Sequence, residues 1–220
     1  MEAIQNRHAV RRYLDRAIPE EVRSVLNEEI ERYNEASGLA FHACYDEPTG
    51  FRGAMAKYGG FSGVHNYFAL CSPESGGDEV AVGYFGQKLV LLAQHLGLNT
   101  CWVGLTYNKK NLKAQLDDDE DLTIVVSVGY GENQGKPHKS KPLEKLGRVE
   151  GDGPMPDWFI QGLEAAVLAP TAVHQQKFSF VLDGDTVHAY PGSGSYVQID
   201  LGIAKLHFEI GANSDQWHWA

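Results

Sequence analysis

Three short stretches hold the residues best able to do chemistry. Near the start, Arg7, His8, Arg11 and Arg12 form the densest basic cluster of the N-terminal half. The chain as a whole carries 29 acidic against 19 basic residues, a net charge of −10. In so acidic a background a knot of arginines invites an anion, and the rigid guanidinium fork suits phosphate. The competing reading is a solvated patch paired with the acidic helix that follows. Further on, Lys136, His138, Lys139 and Lys141 fall within the polar segment GENQGKPHKSKPLEKLG (131–147). It follows a core strand and should emerge at a sheet end, where anions bind; a flexible linker is the alternative. The third stretch, APTAVHQQ (169–176), sets Thr171, His174, Gln175 and Gln176 in a turn between a helix and a strand. A single histidine there is usually a loop or packing residue.

Other chemistries find little support. There is no GxxxxGKS/T phosphate loop and no strand–GxGxxG–helix unit. No nucleophile–His–acid triad or metal constellation is evident. The three cysteines (Cys44, Cys71, Cys101) are odd in number and lack CxxC spacing. They read as free, mostly buried thiols in a reducing compartment, not as a disulfide frame or zinc site. The negative charge argues against nucleic acid or anionic membrane as partner. MEAIQNRHAVRRYL has no apolar run after its basic residues, so no secretory signal is expected and a cytoplasmic location is.

The elements that must position these residues are legible from periodicity. At 220 residues with 43% hydrophobic content, one compact domain or two packed halves can bury a sizeable core. The centre is Val80–Leu105, where Gly83–Leu96 reads as a helix apolar almost all round, stopped by Gly97 and followed by the buried TCWVGL. Lys88, Gln94 and His95 break it too often for a bilayer span. Residues 2–7 could form a short helix. Ile18-Pro19-Glu20-Glu21 opens a second, with Val22, Val25, Leu26, Ile30 and Tyr33 inward and Gly38 as stop. Strands are expected at 39–45, 66–71 and 122–130. The glycine-studded stretch 46–66 reads as a surface excursion or a lid. A short helix over 108–116 and a solvated acidic turn at 117–121 come next. Met155-Pro156-Asp157 starts a helix ending at Ala169-Pro170, and KFSFVL and a second strand flank a DGD turn. Finally, Gly202–Ala212 aligns without gaps on Gly83–Ala93, as a duplicated half would; chance similarity of two amphipathic helices is the alternative.

Taken together the segments resemble the FMN-dependent nitroreductase family. Arg7-His8-Ala9-Val10-Arg11-Arg12-Tyr13 matches its opening R-x-S-x-R-x-F/Y, and Ile18-Pro19 the IP that follows. AQHLGLNTCWVG (93–104) is very close to A-x-x-L-G-L-x-x-C-W-x-G. GYGENQGKPHKSKPLEKL is similar to the closing G-Y-…-K-x-R-x-P, and APTAVHQQKFSFV to A-P-S-x-x-N-x-Q-P-W-x-F. The last of these lies near the C-terminus instead of in the N-terminal third, which resembles the smaller Thermotoga-type branch. The resemblance implies an α+β fold, a mixed, mainly antiparallel sheet packed with helices, as an internally duplicated pseudo-dimer. Residues 1–147 would be the first half and 148–220 the second, completing one flavin site, so that a monomer suffices.

The same resemblance implies roles. Arg7, His8 and Ala9 would touch the ribityl-phosphate side of FMN, with Lys139 and Lys141 as a basic pair for the phosphate. Arg11 would approach the N1–O2 edge, where a cation favours reduction. Backbone around Trp102, Val103 and Gly104 would face N5. Pro170, Thr171, Ala172 and His174 would cover the ring from the other half. Ala9 stands for the usual serine, His174 for asparagine, and Gln176-Lys177 for Pro-Trp. The implied activity is ping-pong transfer from NADH or NADPH through FMN to a small-molecule acceptor such as a nitroaromatic or quinone. A flavin-binding protein without turnover, and a fold that has lost FMN, are the rival readings.

Overall fold

The computed structural model describes residues 1–73, 78–113, 116 and 120–220. A short helix, α1 (Glu2–Asn6), leads into an extended segment and then α2 (Glu20–Ser37). Pro19 precedes the first turn, Glu20 and Glu21 complement its dipole, and Gly38 ends the helix at φ 71°. Leu26 and Ile30 are buried, with Val22 and Tyr33 packed beside them. Val25, expected inside, is 38% exposed, because the buried stripe runs 22–26–30–33 and leaves it on the flank.

Four strands, β1 (Ala40–Cys44), β2 (Asn66–Pro73), β3 (Asn99–Val103) and β4 (Glu120–Gly129), pair antiparallel in the order β1-β2-β4-β3. Alternate residues of β2 are apolar on both faces, so both faces must be covered. Phe68 and Leu70 meet the main core, while Tyr67, Ala69 and Cys71 point the other way. The stretch 46–66 supplies that second cover and is no plain surface excursion. It holds a 3₁₀ turn (Thr49–Phe51) and α3 (Ala54–Tyr58), and packs Phe51, Ala56, Phe61 and Val64 beneath the sheet. After β3 comes α5 (Lys109–Lys113). Of the expected acidic turn, residues 117–119 lie outside the described residues, and Glu120 and Asp121 already belong to β4. Residues 114 and 115 of the helix expected over 108–116 also lie outside them.

The second sheet takes its strands from the rest of the chain: β5 (Gly147–Val149), β6 (Phe178–Asp183), β7 (Thr186–Pro191) and β8 (His218–Trp219), in that order. Its outer pairs are parallel and the central β6–β7 hairpin, turning at Gly184, is antiparallel. Helix α6 (Asp157–Ala166) packs Phe159 and Leu163 against it.

Two long helices join the sheets. Helix α4 (Glu79–His95) starts at Asp78, whose carboxylate accepts from the Val80 and Ala81 amides at 2.8 and 3.2 Å. Its partner is α7 (Val197–Ala212). They touch where each carries glycine. A Cβ on Gly83 would stand 2.1 Å from the Ile199 carbonyl oxygen, and one on Gly202 would stand 2.0 Å from that of Val80. Ile199 and Val80 each lie three residues before the facing glycine, so exchanging the helices reproduces the contact. The contact is reciprocal, and it falls at the two glycines that the sequence alignment pairs. No helix among the described residues is long and apolar enough to cross a membrane.

Candidate active site

The N-terminal cluster is held by backbone pairing, not by the acidic helix. Ala9 bridges Thr100 of β3, with the Val10 amide donating to the Thr100 carbonyl at 3.1 Å. Arg12 bridges Ser62, and Tyr13 bridges Gly131. The extended alternation sinks Val10 and turns Arg11 toward the opposite side. The Tyr13 hydroxyl donates to the Val10 carbonyl at 2.7 Å and lies 2.8 Å from Ser127 Oγ. Among the described residues no carboxylate pairs with Arg7, Arg11 or Arg12. The pairing with the acidic helix that the solvated-patch reading expects is absent among these residues, although Arg11 and Arg12 are themselves exposed.

These residues form one wall of a cavity of about 700 Å³. Arg7, His8, Ala9, Arg11 and Arg12 face Trp102, Val103 and Gly104 at the end of β3. Gly135, Lys136 and His138 close one side. Pro170, Thr171, Ala172 and His174 come from the turn after α6, together with Tyr196 and Asp200 at the start of α7. Eleven of the thirteen residues expected at the site are thus brought together. Lys139 and Lys141 are not among the lining residues. Lys141 instead donates through Nζ to the carbonyls of Gln175 and Gln176, both at 2.8 Å. Lys136 and His138, from the same polar segment, stand in the wall in their place.

The cavity is electropositive. Arg7 is only 4% exposed, and its Nε is buried without a hydrogen-bond partner among the described residues. Burial lowers its pKa to about 10, which still leaves it charged at neutral pH. Burial, then the neighbouring Arg7 and His138, lowers the pKa of His8. His174 is lowered by burial and then by His138, on which it stacks at 5.1 Å. Neutral imidazoles among fixed guanidinium charges are the result.

The turn after α6 is strained and held from beneath. Val173, His174 and Gln176 take φ of 45°, 55° and 43°, a region costly for side chains with Cβ. Asp200 accepts from the Ala172 amide at 3.0 Å and from Gln175 Nε2 at 2.7 Å. Gln176 donates through Nε2 to the Val167 carbonyl at 2.8 Å and accepts from the Lys141 amide at 2.8 Å. That buried glutamine does the work of fixing the turn where the resembled family has proline. Asp200 is itself buried, which raises its pKa to about 6 despite these donors. Across the cavity, the Tyr196 hydroxyl donates to the Gly104 carbonyl at 3.0 Å. Its ring lies so close that a Cβ on residue 104 would stand 2.6 Å away, which gives Gly104 a packing reason as well.

Behind Trp102 runs a buried chain of hydrogen bonds with one direction. Indole Nε1 can only donate, and Gln87 Oε1 receives it at 3.0 Å. The Gln87 amide must then donate to His207 Nε2, 2.8 Å away, so His207 carries its proton on Nδ1 and donates to the Ala165 carbonyl at 3.1 Å. Burial lowers the His207 pKa to about 3, keeping it neutral. The chain ties β3 through α4 and α7 to the end of α6, just before Pro170. Gln87, His207, Asp200 and Tyr196 were missed by sequence reasoning. The available signal was a polar residue inside an apolar helical run, as in GYFGQKLVLL and YVQIDLGI.

This α+β arrangement, antiparallel strands packed with helices, is the nitroreductase fold. The family described as "Putative TM nitroreductase" matches residues 1–212, and the chain belongs to it. Among solved structures, a "putative nitroreductase" from Thermotoga maritima is 22% identical with a TM-score of 0.67, covering 96% of this chain and 82% of that one. Another, from Desulfovibrio desulfuricans and in complex with FMN, is 20% identical with a TM-score of 0.53, covering 70% of this chain and 96% of that one. A nitroreductase family protein from Streptococcus pneumoniae is 13% identical with a TM-score of 0.53, covering 66% of this chain and 96% of that one. No curated protein matches the chain.

Proposed function

We propose that the protein binds one FMN per chain in this cavity and passes reducing equivalents from NADH or NADPH to a small acceptor, such as a nitroaromatic or quinone. The observation that carries the reading is Arg7, a buried guanidinium whose Nε lacks a partner among the described residues and which lines a cavity wide enough for a cofactor. Such a group needs an anion, and a phosphate dianion is its natural counterpart. His8 and Lys136 would share that phosphate. Arg11 would lie along the pyrimidine edge and stabilise negative charge there. The backbone of Trp102, Val103 and Gly104 would line the reacting edge, and Pro170, Thr171, Ala172 and His174 would cover the ring and exclude water. When bound, FMN supplies the centre that accepts a hydride and passes electrons on. The two halves, 1–147 and 148–220, would each give one wall, so no partner subunit is required. A volume of about 700 Å³ is in the range of pockets that hold a cofactor.

The test is a visible spectrum of the purified protein followed by anaerobic addition of NADH and then NADPH. Flavin bands that bleach support the proposal. Bound flavin that stays oxidised means binding without turnover. A colourless protein that does not take up added FMN refutes it.

A further inference from the structure

We propose that His42, Cys71 and Glu120 form a binding site for a zinc-class divalent cation on the first sheet, apart from the cavity. None of the three lines that cavity. They come from three adjacent strands, β1, β2 and β4, and their ligand atoms all lie within 4.8 Å of one another.

The sheet register explains why they meet. His42 pairs with Ala69, and Ala69 faces the second apolar cluster, as do Ala40 and Cys44 on β1. Cys71 belongs to the same cluster. Glu120 reaches that face through an irregularity in the β2–β4 ladder. Leu70 pairs with Ile124, but Cys71 pairs with Leu122, so one residue of β4 is skipped. Without the skip, every residue of β4 before Thr123 would turn to the opposite face. With it, Glu120 stands opposite Pro73, on the side of Cys71. A bulge that re-aims a carboxylate toward a histidine and a thiol is the feature needing an explanation.

The ligand set fits zinc. Thiolate, imidazole and carboxylate together suit a borderline-soft ion such as Zn²⁺ or Co²⁺, whereas Ca²⁺ and Mg²⁺ demand oxygen donors. Tetrahedral bonds of roughly 2.0–2.3 Å place ligand atoms about 3.5 Å apart. His42 Nε2 now lies 2.7 and 2.8 Å from the two Glu120 oxygens, so side-chain adjustments of about 1 Å would seat an ion, with water as the fourth ligand. Binding would replace the thiol proton of Cys71, releasing one H⁺ as the metal–sulfur bond forms. The ion would clip the edge strand β1 to β2 and β4.

The experiment is titration of the chelator-treated full-length protein with Co²⁺, followed by difference absorption and then displacement with Zn²⁺. One equivalent of Co²⁺ should give tetrahedral d–d bands and a thiolate-to-cobalt charge-transfer band, both lost on adding Zn²⁺. Cys71→Ser should abolish the charge-transfer band. His42→Ala should weaken Co²⁺ binding by at least about tenfold, the loss typical of even an outer-shell partner. Because His42 is 39% exposed, that variant keeps the test valid if the Cys71 variant does not fold. Cys44→Ser should leave the spectrum unchanged. Absence of the thiolate band, a band that disappears with Cys44→Ser, or affinity unchanged in His42→Ala would each overturn the proposal. Flavin content is read separately, so failure here leaves the cavity reading standing.

Discussion

Replacing Arg7 by methionine should have opposite effects on the empty protein and on ligand binding. Methionine keeps much of the arginine's length and apolar stem but removes the buried charge. The displacement of Arg7 from the ordinary arginine value to about 10 corresponds to about 3 kcal/mol against the charged form, at 1.36 kcal/mol per tenfold change in proton affinity. The sign follows from linkage. Burial lowers this pKa, so the cost is present at every pH below about 10 and fades only as the pH rises past it. Thermal unfolding of the flavin-free proteins should therefore show Arg7→Met melting higher than wild type, by roughly 2–4 °C for each kcal/mol regained. The gain should be flat between pH 6 and 9. FMN binding, followed by quenching of flavin fluorescence, should move the other way. Loss of a hydrogen bond to a charged group costs roughly 1.5–3 kcal/mol, a weakening of about 10- to 150-fold. If flavin-free Arg7→Met melts below wild type, Arg7 is a structural residue and the argument fails. FMN affinity within about twofold of wild type would refute it from the other side.

Other substitutions probe the frame. Gly202→Ala forces a Cβ to 2.0 Å from the Val80 carbonyl oxygen and should lower stability by roughly 3 kcal/mol or more in denaturant titrations, while Gly153→Ala, with nothing near its Cβ, should change little. His207→Phe leaves the Gln87 amide without an acceptor and should cost roughly 1–3 kcal/mol. His207 is depressed to about 3, so wild-type stability from this group is complete above pH 6.5 and declines as pH falls toward 3, a slope the variant should lack. Asp200 runs the opposite way. Raised to about 6, its ionisation opposes folding above that pH, and the penalty fades between pH 6 and 4. Asp200→Asn should therefore compare less favourably with wild type as pH falls through that window in urea titrations.

Much of the frame was legible because caps and periodicity act locally. Pro19 and Gly38 bound α2, and Gly97, at φ 80°, follows α4 as its position in the sequence requires. The stretch 46–66 misled because its glycines signal a loop, while Phe51, Phe61 and Val64 follow no period that would announce their burial. They are buried because the far face of β2 is apolar and must be covered. The polar segment 131–147 was rightly singled out as basic. Which of its side chains would reach the cavity depended on Gln176 capturing the Lys141 backbone, a contact made 35 residues away. Trp102, Gln87 and His207 were each visible, but their partnership exists only once α4 and α7 cross. The meeting of His42, Cys71 and Glu120 depends on one skipped residue in a ladder, which no spacing rule registers.

The crossing of α4 and α7 also bears on how the cavity answers to concentration. Arg7 and Trp102 on one side, and Thr171 and Asp200 on the other, belong to a single covalent chain. A pocket shared between separate subunits dissolves with its dimer on dilution, and its apparent stability rises with protein concentration. Here the opposing walls are tethered, so each meets the other at a fixed effective concentration however scarce the protein is. Tethering also frees the two walls from any need to be identical in sequence. A substitution in a symmetric dimer is felt twice, whereas here a change at Gly83 leaves Gly202 untouched, and the two walls can diverge independently around one cavity.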